Sequence, residues 1–188
     1  MKIIKKNLRN EIIIKKSKFI GIIKIIENEK EITETLNKLK KEHKLANHIC
    51  YAYILNNQKK YYDDKEPLKT AGFPILNVLE KNNLNYCLAI VIRYYGGIKL
   101  GSTNLLRAYQ NTIIDLLKDN LKEISYAKKI RIKTNYQDLK HLKYLLSNSK
   151  VTKEEYQDEV IIEAIVDNQE LPKLSNYYYE IIKNSIIY

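Results

Sequence analysis

The stretch Leu88 to Tyr109, LAIVIRYYGGIKLGSTNLLRAY, reads as a strand, a glycine turn and a helix in direct succession. Leu88 to Tyr95 is β-branched and aromatic and too short for a helix, which predicts a largely buried strand with Arg93 near its end. Gly96-Gly97 breaks it, as residues without a Cβ do where a chain turns sharply or lets another group approach. After Gly101, Ser102 or Thr103 supplies an N-cap, and Leu105, Tyr109, Ile113 and Leu116 recur at helical spacing. The free N–H groups of that helix then face the glycine turn. Unpaired amides and the positive end of a helix dipole favour an anion, and Lys99 and Arg107 lie on either side. Arg93, Gly96, Gly97, Lys99, Gly101 and Arg107 are therefore the candidate phosphate- or RNA-binding residues. No Walker or dinucleotide glycine pattern is present, so a dedicated nucleotide-binding loop is not indicated.

Working outward, His48 to Leu55 forms another strand with unlike faces. His48, Cys50 and Ala52 alternate with the bulkier Ile49, Tyr51 and Tyr53. The strand at Cys87 repeats this, with Cys87, Ala89, Val91 and Arg93 on one face, so His48 and Arg93 share a surface if the small faces agree. Between the two strands, Asp63, Asp64 and Glu66 cluster ahead of Pro67. Thr70 then caps a helix with Pro74 in its first turn, where a missing N–H costs little. His48, Asp63, Asp64, Glu66 and Thr70 form a second candidate polar site. Its carboxylates suit either acid–base or Mg²⁺ chemistry, or a solvated turn held by local backbone hydrogen bonds.

Upstream, Glu11 to Lys15 and Lys18 to Ile26 read as strands, and Asn28 caps a helix with Ile32, Leu36, Leu39 and His43 on one face. Past Lys118 the rhythm changes. Lys128 to Thr134 alternates as a strand, and Asn135 with Asp138 resembles a capping box for a helix carrying Leu139, Leu142 and Leu146. Val151 to Tyr156 and Glu159 to Val166 follow as strands. Asn168 opens a last helix with Leu171, Leu174, Tyr178 and Ile181, and Ile186 to Tyr188 closes as a short strand. The order βαββαβ is that of a ferredoxin-like domain. The class is α+β, with an N-terminal domain over 1–125 and a C-terminal one over 126–188.

In 188 residues, 45% are hydrophobic, which suits an ordered globular protein. The apolar runs are broken well short of a membrane span, and the N-terminal MKIIKKNLRN lacks a signal peptide's apolar core. No membrane association and a cytoplasmic location are expected. Cys50 and Cys87 fall in strands with no C-x-x-C or metal-ligand spacing, so no disulfide, metal or cofactor is expected. The net charge of +11 is uneven: through Ala127, 23 Lys and Arg face 13 Asp and Glu, against 10 and 9 beyond it. That asymmetry suits a polyanionic partner such as RNA, although the chain is rich in Ile, Lys, Asn and Tyr together, a bias that A/T-rich coding also produces.

Three motifs, HICYAY at His48 to Tyr53, DDKEPLKTAGFP at Asp63 to Pro74 and RYYGGIKLGSTNLLRAY at Arg93 to Tyr109, closely resemble the Impact family, including its bacterial YigZ-type members. The resemblance covers nearly the whole chain. It implies a two-layer α/β N-terminal domain similar to the second domain of a small-subunit ribosomal protein, and a C-terminal ferredoxin-like domain similar to the last domain of elongation factor G. Eukaryotic relatives regulate translation by binding a partner through an extra domain, and that partner is not transferred. The chain departs from the family pattern where Lys65 and Lys69 replace two glycines and Thr103-Asn104 replaces a glycine pair.

The leading expectation is a non-catalytic binding protein linked to translation that contacts RNA or the ribosome, with a protein partner also compatible and no DNA specificity inferred. The alternative is a hydrolase or transferase acting on a small phosphorylated or peptide-like substrate through the cluster at Asp63 to Glu66.

Overall fold

The strand ahead of the glycine turn becomes the centre of the first of two units. The structure, a computed structural model, describes residues 1–187 and divides into Met1–Glu123 and Ile124–Tyr188. In chain order the first unit holds β1 (Lys2–Ile4), β2 (Leu8–Ile14), β3 (Ser17–Ile25), α1 (Glu29–Glu42), β4 (His48–Leu55) and β5 (Gln58–Tyr62). It continues with α2 (Gly72–Lys81), β6 (Cys87–Tyr94), α3 (Ser102–Leu117) and β7 (Leu121–Glu123). Five strands form one antiparallel sheet in the order β2-β3-β6-β4-β5, while β1 pairs with β7. β6 is buried from Cys87 to Arg93 because it pairs on both edges and is covered on both faces.

The two faces are lined by alternate residues. Cys50, Ala52, Cys87, Ala89 and Val91 pack under α2 and α3, and the small side chains let those helices approach closely. Ile49, Tyr53, Leu88, Ile90 and Ile92 point the other way and meet Ile32, Leu36 and Leu39 of α1. Each such buried side chain contributes about 1.5–3 kcal/mol. α1 begins as expected, with Asn28 Oδ1 accepting from the Glu31 amide at 3.1 Å. α3 begins differently: its N-cap is Gly101, with no side-chain cap, instead of Ser102 or Thr103.

Two hairpins turn through residues with left-handed backbones. Lys15 and Lys16 join β2 to β3 at φ 45° and 65°, and Asn56 and Asn57 join β4 to β5 at 49° and 65°. Both pairs match the positive φ that two-residue hairpin turns demand.

The second unit comprises β8 (Ser125–Thr134), α4 (Leu139–Leu145), β9 (Lys150–Tyr156), β10 (Val160–Asp167), a 3-10 helix (Leu171–Leu174) and β11 (Tyr179–Ile187). Its antiparallel sheet runs β11-β8-β10-β9, the ferredoxin-like order, so the α+β class stands. Asn135 accepts from the Asp138 amide at 2.8 Å and donates to its carboxylate at 2.9 Å, which closes a turn ahead of α4; the N-cap itself is Asp138, with no side-chain cap, in place of the capping box expected at Asn135. The long last helix from Asn168 to Ile181 is not formed. Only Leu171–Leu174 is helical, and Ile181 instead pairs with Ile130 in the sheet. The closing strand thus begins at Tyr179, earlier than Ile186, and Tyr188 lies outside the described residues.

On the sheet face opposite Ile130 and Ile132, Glu163 of β10 accepts from Lys129 Nζ at 2.7 Å and from Arg131 Nη2 at 2.7 Å. These hydrogen bonds, from Lys129 first and Arg131 second, lower the Glu163 pKa from 4.5 to about 2. A depressed carboxylate pKa stabilises the fold fully above its unfolded value, and that stabilisation is lost as pH falls through the folded one. Acid titration of the full chain, followed by the amide signals of β8 and β10, should therefore show loss of stability between pH 4.5 and about 2. Glu163→Gln should flatten that limb, and parallel titrations of wild type and variant would contradict the assignment.

Candidate functional site

Antiparallel register places His48 of β4 directly opposite Arg93 of β6, with Cys50 opposite Val91 below them. Both side chains lie on the α2/α3 face, as the shared alternation of small residues implied. Arg93 is 6% exposed, and its Nη1 donates to Glu66 Oε1 at 2.5 Å. Glu66, 8% exposed, also accepts from the Tyr109 hydroxyl of α3 at 2.8 Å, and His48 Nε2 sits 3.7 Å from the same oxygen. One carboxylate thereby joins β4, β6, α3 and the loop before α2. Burial raises the Tyr109 pKa well above 10, so its hydroxyl remains a donor.

The rest of the acidic motif is architectural. Asp63 accepts backbone N–H groups of Lys69 at 3.0 Å, Ala71 at 3.1 Å and Gly72 at 2.7 Å, which satisfies the start of α2. Asp64 accepts from the Ile49 amide at 2.7 Å, and its carbonyl receives the His48 Nδ1 proton at 2.7 Å. That bond sets the His48 tautomer and leaves Nε2 facing Glu66. Thr70 donates to the Pro67 carbonyl at 2.6 Å, and the N-cap of α2 is Ala71, so Thr70 closes a turn instead of capping the helix. Lys65 and Lys69 hold φ of 65° and 59°, the conformation a glycine adopts freely, at a cost of roughly 1–2 kcal/mol each.

At the glycine turn the two glycines do different work. A Cβ on Gly96 would fall 2.0 Å from the Lys16 carbonyl carbon, and its amide donates to Ser17 Oγ at 3.1 Å. Gly96 therefore lets the β2–β3 turn press against the chain. Gly97 and Gly101 hold φ of 83° and 81° with open space where a Cβ would be, so their requirement is conformational. Between them the chain swings Lys99 and Leu100 to the mouth of a cleft and aims α3 at it.

That cleft has a volume of ≈ 460 Å³ and is lined by residues of both motifs, among them His48, Glu66, Arg93, Lys99 and Gly101. The acidic and glycine-turn motifs thus meet in one site, through Glu66 and not through Asp63 or Asp64. Gly96, Gly97 and Thr70 lie outside its lining, as does Arg107, which is exposed on α3 two residues beyond the lining Leu105. Sequence reasoning missed Tyr95 and Asn47 as lining residues and Tyr109 as the second donor to Glu66. Tyr109 follows Ser102 and Leu105 at helical spacing, which was the available signal.

Two features of the cleft favour an anion. α3 has no side-chain cap and no acidic residue in its first turn, so its amides point out unpaired. Arg93 Nε is buried with no hydrogen-bond partner among the described residues, while the guanidinium carbon lies 5.5 Å from the Tyr95 and Phe19 ring centres. Cys50 beneath is fully buried, and desolvation drives its thiol pKa far up, which leaves it an unreactive packing residue. Cys87, likewise buried, is pushed up to about 12. Among the described residues no group of three His, Cys, Asp or Glu side chains is placed to hold a metal ion, and no helix is long and apolar enough to cross a membrane.

Scaffold and cleft together define a two-unit α+β protein whose acidic and glycine-turn motifs share a ligand-sized cleft in the first unit. Residues 15–117 match the family model described as the Impact N-terminal domain. The chain belongs to the Impact family. It is 34% identical over 178 residues to the Impact family member YvyE of Bacillus subtilis, covering 92% of this chain and 82% of that one. A family member of Haemophilus influenzae is 34% identical over 161 residues, 82% of this chain and 75% of its own. Escherichia coli YigZ is 34% identical over 110 residues, 56% of this chain and 54% of its own. A crystal structure described as that of a hypothetical protein aligns over 97% of both chains with a TM-score of 0.62 and 25% identity.

Removing the shared carboxylate leaves a buried guanidinium unpaired, which costs about 3–5 kcal/mol. Glu66→Ala should lose about that much stability in urea unfolding, whereas Tyr109→Phe should lose only about 1–1.5 kcal/mol, since it removes the bond to Glu66 and a long, weak one from Cys50 Sγ at 3.5 Å. Equal and small losses for both would show that Glu66 is not the junction of the site.

Proposed function

We propose that this is a cytoplasmic, non-catalytic binding protein linked to translation, which contacts RNA or the ribosome through phosphate at the cleft between the glycine turn and the N-terminus of α3. The link to translation rests on the role that the Impact resemblance implies. The observation that carries the phosphate reading is the uncapped first turn of α3, opening beside Lys99 and above a buried arginine. Glu66 and Arg93 pair at 2.5 Å and cancel in net charge, so the positive excess at the opening comes from Lys99 and the helix start, and Arg93 adds hydrogen-bond donors. The excess of positive charge lies in the part of the chain that contains the cleft, and a polyanion gains there from released counterions.

In this reading Arg93 acts from below, and the exposed cations Lys99 and Arg107 meet the phosphate backbone around the opening. Such contacts position RNA without reading its sequence. A partner of this kind should bind more weakly as salt rises, by a slope that counts the phosphates neutralised.

Fluorescence anisotropy of a structured RNA with wild type and Lys99→Ala/Arg107→Ala, across a salt series, tests the proposal. Both side chains are exposed or at the cleft mouth, so the variant keeps the fold. The expected outcome is salt-weakened binding whose log–log slope falls by about 1.4–1.8 in the double variant. Absence of binding at low salt, or binding indifferent to salt, would remove RNA from the account.

A further inference from the structure

The size and lining of the cleft bear on which phosphate group it takes. Its ≈ 460 Å³ falls in the lower part of the roughly 300–1,000 Å³ range of small-molecule sites, too little for a duplex. Its wall is largely apolar, built from Pro67, Leu100 and Leu105, and Tyr95 presents a ring that is 43% exposed. An aromatic face of that kind accepts a nucleobase by stacking, whatever the base. Lys99, Arg93 and Ser102 at the start of α3 line the same cleft, together with Glu66 and His48.

A bare helix N-terminus would say little, but here a second group points to a ligand. Arg93 is 6% exposed, lines the cleft, and keeps its Nε–H without a hydrogen-bond partner although Nη1 is committed to Glu66. A buried donor left unpaired is costly, and an oxygen arriving from the cleft would satisfy it. The helix amides and Lys99 would share the remaining oxygens of the same group. A phosphomonoester has three terminal oxygens and close to two negative charges at neutral pH, against two free oxygens and one charge for a backbone phosphodiester.

We infer that the cleft binds the phosphomonoester of a nucleotide, with phosphate at the start of α3 and beneath it Arg93, and the base against Tyr95. The inference rests on the phosphate reading of the cleft proposed above. The same chemistry is offered by a free mononucleotide and by a phosphorylated end of an RNA strand. Glu66 faces this group too, and its pairing with Arg93 and Tyr109 is what keeps the site open to an anion.

Calorimetry with adenosine 5′-monophosphate, adenosine and inorganic phosphate tests the inference, followed by anisotropy with one single-stranded RNA carrying either a 5′-phosphate or a 5′-hydroxyl. The nucleotide should bind at least tenfold more tightly than adenosine, and the phosphorylated RNA more tightly than its hydroxyl form. Ser102→Asp sets a carboxylate at the exposed first turn of α3, where it supports the helix dipole. It should abolish nucleotide binding without lowering the thermal midpoint, and Tyr95→Ala should weaken binding about fivefold or more. Adenosine binding as well as the nucleotide, or Ser102→Asp binding as wild type, would overturn the inference. Equal affinity for both RNAs with no nucleotide binding would leave RNA recognition in place and end the terminal-phosphate assignment. Nucleotide binding with neither RNA bound would uphold the site and end the RNA reading.

Discussion

A guanidinium and a carboxylate, both nearly shut off from water, meet at the top of β6, and most of the site is arranged to make that pairing tolerable. Desolvating two charges costs several kcal/mol per ion, and their attraction repays it only with good geometry and additional hydrogen bonds. Here the carboxylate of Glu66 receives Arg93 at 2.5 Å and Tyr109 at 2.8 Å. Three of the chain's motifs become interdependent as a result: β4 contributes His48, the acidic loop Glu66, and the strand–helix segment both Arg93 and Tyr109.

The same pairing explains why the acidic motif is not the cluster of free carboxylates it resembles on paper. Asp63 is consumed by three backbone amides and Asp64 by one, and together they fold the loop back so that Glu66 reaches Arg93. The loop then tolerates lysines at two left-handed positions, because the hydrogen bonds on either side fix the backbone regardless of the residue. What remains available for a ligand is the other side of Arg93, the helix start and Lys99.

Much of this was legible in the sequence, and the reasons are specific. β6, the glycine turn and α3 announced themselves through a β-branched run, two residues without Cβ and a helical apolar stripe. The alternation in β4 and β6 gave His48 and Arg93 a shared surface on the condition that the two small faces agree, and the register met that condition by pairing them directly. β5 escaped notice because QKKYY has no apolar face and all five residues are exposed. Its one signal was Asn56-Asn57, two residues that accept positive φ. The last helix was misread because Leu171, Leu174, Tyr178 and Ile181 imitate helical spacing. Sheet pairing with β8 overrode that pattern, as tertiary context does when propensity is weak. Burial of Glu66 had no local signature at all, since it depends on a loop folding back over a strand distant in sequence.

The central claim is that Arg93 holds one half of its guanidinium in the ion pair with Glu66 and keeps its Nε–H for a ligand. The most direct measurement is the ¹H–¹⁵N resonance of the Arg93 Nε–H, assigned by comparison with Arg93→Lys, during titration with adenosine 5′-monophosphate. The account predicts a protected signal in the free protein that moves downfield, saturably, as the nucleotide binds. A signal that exchanges rapidly with water in the free protein, or one unmoved at saturation, would contradict it.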